Sequence, residues 1–232
     1  MKRKDFIKGI LGSIAVFSFI PLPIVFNQKN EWNPPSLLKN GRPKKTHNYA
    51  MVIVQDRCIG CKACEVACKN TWHIPEDPQA YRTKVLYIGK AQSDSYKMNW
   101  LPILCNHCDN PPCVWVCPTG ASYRRSSDGI VLVDFNKCIG CKACMEACPY
   151  DARYYNEEWG SVDKCTFCLP RLDKGLLPAC VEACPTHSRN FGDLNKTDSI
   201  VSQILKEATS YHVLKQQNGT LPNVYYTQNV SL

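Results

Sequence analysis

Sixteen cysteines constrain this chain of 232 residues more than any other feature, and they fall into four groups of four. Cys58, Cys61, Cys64 and Cys68 are spaced C-x2-C-x2-C-x3-C, and Cys138, Cys141, Cys144 and Cys148 repeat that spacing. The wording repeats as well, CIGCKAC standing at both 58–64 and 138–144. Cys105, Cys108, Cys113 and Cys117 form C-x2-C-x4-C-x3-C, and Cys165, Cys168, Cys180 and Cys184 form C-x2-C-x11-C-x3-C. Proline follows Cys117, Cys148 and Cys184. Any fold for this chain has to give these sulfurs a partner.

Spacing decides which partner. Three cysteines two residues apart cannot readily pair among themselves, because disulfide geometry is demanding. Structural zinc uses paired C-x2-C units, often with histidine, and has no need of three-cysteine runs ending in C-x3-C-P. On a tight loop, three such sulfurs converge on one cubane while a fourth thiolate arrives from elsewhere. That is the bacterial ferredoxin run, whose fourth cysteine serves the other cluster of a pair. The expectation is four [4Fe-4S] clusters in a duplicated two-cluster ferredoxin, the duplication being legible as internal self-similarity. Gly60 and Gly140 stand where a side chain would crowd the loop. Lys62 and Lys142 read as solvated. Ligation is coupled to folding, so the clusters take over part of the task of an apolar core.

The remaining pattern predicts an α+β class with many small elements. Residues 49–54 form an apolar run suited to a strand. Residues 81–88 and 98–104 are expected to pair as a hairpin. So are 121–124 and 130–133 around Ser127-Asp128-Gly129, and 153–156 with 161–163 around Gly160. Residues 199–210 carry Ile200, Ile204, Leu205 and Ala208 at helical spacing, a C-terminal helix with one face on the core.

Residues 1–26 read as an export signal or an N-terminal anchor: a basic start, then an apolar stretch broken by Gly12, Pro21 and Pro23. Arg3, Lys4 and Phe6 lie in RKDFIK, which is similar to the twin-arginine pattern R-R-x-F-L-K with lysine in the second place. Export in the folded state suits a protein whose clusters are inserted in the cytoplasm. The expected destination is the exoplasmic, periplasmic face of the cytoplasmic membrane. Residues 27–47 are polar and proline-bearing, a linker. The folded part is then 48–196, in which 48–68 pairs with 165–196, 105–164 forms the second unit and 69–104 is inserted. Residues 197–232 are the helix and a tail.

The formal charge of +8 would suit nucleic acid or an anionic surface. Four clusters at about −2 each cancel it, and no nucleic-acid motif is present. Nor is there a glycine-rich loop for a nucleotide or flavin. The five histidines form no base–nucleophile set. His107, inside a cysteine group, is expected to hydrogen-bond within its loop, and Trp115 to pack over cluster atoms. The chain is read as a carrier of electrons and not as an enzyme.

The stretches LPILCNHCDNPPCVWVCP, ACPYDARYYN, DKCTFCLPRLDKGLLPACVEACP and NGTLPNVYY resemble the iron–sulfur subunit of the complex iron–sulfur molybdoenzymes. That family includes polysulfide, thiosulfate, dimethyl sulfoxide and tetrathionate reductases. The resemblance implies two partners, an integral-membrane quinol-oxidising subunit and a molybdopterin-containing catalytic subunit that reduces tetrathionate, polysulfide or thiosulfate. It also implies which cysteines share a cluster. Cys58, Cys61, Cys64 and Cys184 would hold the first, and Cys68, Cys165, Cys168 and Cys180 the second. Cys105, Cys108, Cys113 and Cys148 would hold the third, and Cys117, Cys138, Cys141 and Cys144 the fourth. In relatives lacking one cysteine of the second group a 3Fe cluster results; Cys113 is present here. By the same pattern the first cluster faces the catalytic subunit and the fourth the membrane side. Two other readings remain at this point: the electron-transfer subunit of a formate dehydrogenase or hydrogenase, and a zinc-binding structural module.

Overall fold

The computed structural model describes residues 45–91, 94–228 and 230. The leader, with Arg3, Lys4 and Phe6, and the linker up to residue 44 lie outside them. The last residues of the expected linker are already part of the fold. Thr46 N–H donates to Ser127 O at 2.8 Å, and His47 Nδ1 meets Asp193 Oδ2 at 2.8 Å.

The first strand, β1 (Tyr49–Val54), is the run of apolar residues expected to be one. Ala50 to Val54 are fully buried, as a strand covered on both faces must be. Later segments supply its neighbours, β8 (Arg189–Asp193), β9 (Tyr211–His212) and β10 (Val224–Thr227). The sheet order is β8-β1-β10-β9, with β10 parallel to β1 and β8 antiparallel to it. The stretch expected as a tail therefore contributes a buried strand beside β1. Side chains of β1 alternate between two cores. Met51 and Ile53 pack with Phe191, Val224 and Tyr226 on the face that carries cysteines. Ala50, Val52 and Val54 pack with Val201 and Ile204 of the C-terminal helix on the other.

That helix spans Ile200–Glu207. Its buried stripe is Val201, Ile204, Leu205 and Ala208, an i, i+3, i+4, i+7 set. Ile200, expected on that stripe, is 41% exposed, because it begins the helix one position off the stripe.

All three expected hairpins form, two of them around the turn residues named for them, while the strands of the first extend through 89–91 and 94–97, expected as its connection. They are β2 (Thr83–Ala91) with β3 (Asp94–Leu104), β4 (Ser122–Arg124) with β5 (Val131–Val133), and β6 (Tyr154–Asn156) with β7 (Ser161–Asp163). The first hairpin belongs to the stretch expected as an insertion, yet it is tied inward on both sides. Tyr226 Oη donates to Pro102 O at 2.9 Å, and Arg82 clasps Asp163 through Nε and Nη2 at 2.9 and 3.0 Å.

The cysteine groups run into helices rather than remaining in turns. They are α1 (Ala63–Trp72), α2 (Pro112–Trp115), α3 (Ala143–Glu146), α4 (Leu169–Leu172) and α5 (Ala179–Glu182). We number the C-terminal helix α6. Among the described residues no helix is long and apolar enough to cross a membrane.

Candidate metal centres

The repeated word folds the same way twice. Gly60 and Gly140 have φ of 72° and 68°, and Lys62 and Lys142 have φ of 58° and 60°. Two left-handed residues inside C-I-G-C-K-A-C wrap the loop before the helix starts. A methyl group on Gly60 would overlap the Trp100 indole, and one on Gly140 would lie 3.1 Å from Gly160 O. The two lysines thus shape the loop through their backbones. Lys142 Nζ also sits 4.3 Å from the Tyr155 ring centre.

All sixteen cysteines are free thiols, and the fold collects them in sets drawn from distant groups. Cys117, Cys138, Cys141 and Cys144 line one small recess. Cys105, Cys108, Cys113 and Cys148 line another, together with Tyr150 and Arg153. In each, three thiols come from one group and the remaining one from the other.

The first and last groups interleave in the same manner. Burial raises Cys58 and Cys64, and both also feel the charge of Cys184. Burial raises Cys68 strongly, reinforced by Cys180 and Cys168. Burial likewise raises Cys165, whose neighbours are Cys168, Cys68, Cys105 and Cys180. Cys180 is pushed up to about 11 by burial, against the opposing charge of Arg189. Trp72 Nε1 donates to Cys168 Sγ at 3.3 Å, and Phe167 N–H to Cys165 Sγ at 3.4 Å.

Two cysteines go the other way. Partial burial would raise Cys117, but the Ser122 amide and the Thr119 hydroxyl outweigh it, the amide standing 3.3 Å from the sulfur. Burial would raise Cys184, and the Arg189 amide, the Thr186 hydroxyl and further amides outweigh it. Both follow from the tripeptide Cys-Pro-Thr at 117–119 and 184–186, whose threonine and succeeding amides turn back onto the sulfur. The repeat is visible in the sequence, but its meaning is not, since it depends on the turn closing.

Exposure orders the sets. Cys61 and Cys141 are exposed, one in each outer set, whereas Cys68, Cys165, Cys168 and Cys180 are all buried. Cys64 and Cys180 link the first set to the second, and Cys105 and Cys165 link the second to the third.

The donor chemistry fits iron–sulfur clusters. Two of these sites gather four thiols each, and N–H groups donate to Cys117, Cys165 and Cys168. Tetrahedral zinc at about 2.3 Å from each sulfur would draw four thiols to within roughly 4 Å of one another. Among the described residues no three such ligands come together closely enough to hold a single metal ion.

His107 is buried and kept neutral, first by burial and then by Lys164, Arg153 and Lys45. Its Nδ1 accepts from Val131 N–H at 3.2 Å, on β5 rather than within its own loop as expected, and its ring stacks on Phe167 at 3.7 Å. Trp115, expected over cluster atoms, is 41% exposed.

Comparison with known proteins also points to [4Fe-4S] clusters. The family described as "4Fe-4S dicluster domain" matches residues 96–194, and a second family of that description matches 57–121. The tetrathionate reductase B subunit of Salmonella typhimurium is 47% identical over 97% of this chain and 87% of its own. The chain belongs to the iron–sulfur B-subunit family of the complex iron–sulfur molybdoenzymes. A putative dimethyl sulfoxide reductase iron–sulfur B subunit of Halobacterium salinarum is 40% identical, over 77% of this chain and 78% of its own. The thiosulfate reductase electron transfer subunit PhsB of Salmonella typhi is 44% identical, over 66% and 80%. Like these B subunits, this member has two ferredoxin-like dicluster modules within an α+β fold and carries [4Fe-4S] clusters. It transfers electrons in an oxidoreductase and is not itself the catalyst.

Proposed function

We propose that the chain is a four-cluster electron wire within a membrane-associated reductase complex. The observation that carries this reading is the interleaving of the thiols: each cavity with four cysteines takes three from one group and one from another. The residues holding the clusters are then Cys58, Cys61, Cys64 and Cys184; Cys68, Cys165, Cys168 and Cys180; Cys105, Cys108, Cys113 and Cys148; and Cys117, Cys138, Cys141 and Cys144. Bound there, [4Fe-4S] clusters supply one-electron carriers whose potentials respond to charge, hydrogen bonds and solvent.

The chain's own residues do the rest. Glycine and left-handed lysine close the loops, amides and hydroxyls favour the thiolate forms of Cys117 and Cys184, and buried walls exclude water from the middle sets. The exposed thiols of the outer sets leave the two ends of the wire open to partners. One partner is a molybdopterin-containing catalytic subunit, met near Cys61. The other is an integral-membrane quinol-oxidising subunit, met near Cys141. The likeness to the tetrathionate reductase B subunit over nearly the whole chain favours tetrathionate as terminal acceptor. The leader, with Arg3, Lys4 and Phe6, directs the loaded protein to the periplasmic face of the cytoplasmic membrane.

Metal analysis of anaerobically reconstituted protein tests the reading. It should return about sixteen iron atoms per chain, four per cubane; zinc, or half that iron, would refute it.

A further inference from the structure

Arg153 and Arg189 occupy equivalent places in the two halves of the cysteine core. Each stands five residues after a fourth cysteine, in Cys148-Pro-Tyr-Asp-Ala-Arg153 and Cys184-Pro-Thr-His-Ser-Arg189. The other two fourth cysteines, Cys68 and Cys117, have His73 and Ser122 at that distance. There is thus one such arginine for each interleaved pair of groups.

Both side chains are buried, with 3% and 2% of their surfaces exposed. Taking a guanidinium out of water is costly, and a buried arginine is normally paired with a carboxylate. Arg82 obeys that rule through Asp163. Arg153 and Arg189 appear in none of the ion pairs among the described residues. Nη2 of Arg153 donates to Ser122 Oγ at 2.9 Å and Nη2 of Arg189 to Thr83 Oγ1 at 2.8 Å, both neutral partners. Nε and Nη1 of Arg153, and Nη1 of Arg189, find no hydrogen-bond partner in the protein.

What surrounds them is sulfur. Arg153 lines the cavity walled by Cys105, Cys108, Cys113 and Cys148, and it also faces Cys144 of the adjoining set. Arg189 faces Cys180 of the second set and Cys64 and Cys184 of the first. Burial works against each guanidinium charge, and these thiols more than offset it.

We propose that Arg153 and Arg189 are fixed counter-cations, one per pair of clusters, each raising the reduction potential of two clusters together. The proposal rests on the four-cluster reading above. Reduction adds one negative charge to a cluster, and a buried cation beside it stabilises the reduced form in a medium that screens poorly. The N–H groups without partners add donors for cluster sulfur, a second lever in the same direction. Placed between two sets, one cation shifts both members of a pair in parallel and moderates the repulsion between neighbouring anionic clusters.

The test uses the full chain, anaerobically loaded, as Arg153→Gln, Arg153→Lys, Arg189→Gln and Arg189→Lys. Iron is counted first, and then each protein is titrated with redox mediators and followed by electron paramagnetic resonance. Arg153→Gln should make two of the four clusters harder to reduce, by roughly tenfold in the equilibrium constant, or ~59 mV for one electron. Arg189→Gln should move the other two, and both lysine variants should stay near wild type. If the glutamine variants lose iron, loading restored by lysine supports the charge requirement. Lysine variants that fail alongside glutamine would show that shape alone matters and overturn the proposal. So would fully loaded glutamine variants with four wild-type potentials. A wild-type chain with half the expected iron would instead overturn the four-cluster reading beneath it.

Discussion

Cys64 and Cys68 lie one turn apart on α1, yet their thiols belong to different sets. Cys64 stands with Cys58 and Cys184, and Cys68 with Cys168 and Cys180. On the four-cluster reading, a single helix pins two clusters at a spacing fixed by its backbone. Replacing Cys68 by Ser should disturb the cluster held mainly by residues 165–180 and spare the one held by 58–64. Cys64→Ser should do the reverse. Resonance spectra of the two reduced variants check this, and loss of the same signal in both would contradict it.

The left-handed turns make a second prediction. Gly60→Ala and Gly140→Ala each impose the cost of a left-handed alanine, about 1–2 kcal/mol. Gly60→Ala adds the clash with Trp100, whereas Gly140→Ala meets Gly160 O at the edge of tolerance. Anaerobic thermal melts should rank Gly60→Ala below Gly140→Ala, and both below wild type.

Asp163 is the hub of a buried polar cluster that ties the first hairpin to β7. It accepts from Arg82 and from Tyr154 Oη, the latter at 2.5 Å. Asp163→Ala leaves the Arg82 charge buried without its partner, a loss of about 3–5 kcal/mol. Tyr154→Phe removes one hydrogen bond to a charged group, about 1–3 kcal/mol. Denaturant titration of the loaded proteins should separate the two variants in that order.

These elements differ in how much the sequence disclosed of them. The hairpins of β4 with β5 and β6 with β7 were legible because Gly, Ser and Asp mark their turns and the partners are adjacent. The duplicated dicluster core was legible from cysteine spacing, and the α+β class from the strand and helix patterns between the cysteines. β10 was not, since all four of its residues are buried, so no alternation marks it, and its parallel partner β1 lies at the far end of the described chain. α1 was hidden because the residues that bury its face are cysteines, which read as ligands and not as an apolar stripe. Arg153 and Arg189 went unremarked for a similar reason. An arginine in a sequence looks solvated until the fold shows that it has no water.

Acid should weaken a contact away from the cysteines. Burial tends to raise the Asp193 carboxyl, but the Asn48 and Asn195 amides and His47 outweigh it and hold the carboxyl below its usual range. A depressed carboxylate contributes stability above its unfolded value, about 3.9, and that contribution is lost as pH falls through the folded value. Asp193→Asn should therefore be less stable than wild type above about pH 5, and the margin should begin to close below about pH 4. Chemical denaturation across that range reads it directly.

The central claim is that four clusters are held by interleaved cysteine groups in one chain. Anomalous diffraction at the iron edge from crystals of the anaerobically loaded protein tests it most directly. The account predicts four iron centres in a row, with Cys184 on the first, Cys68 on the second, Cys148 on the third and Cys117 on the fourth. Fewer than four centres, or one centre held by Cys58, Cys61, Cys64 and Cys68 together, would contradict it.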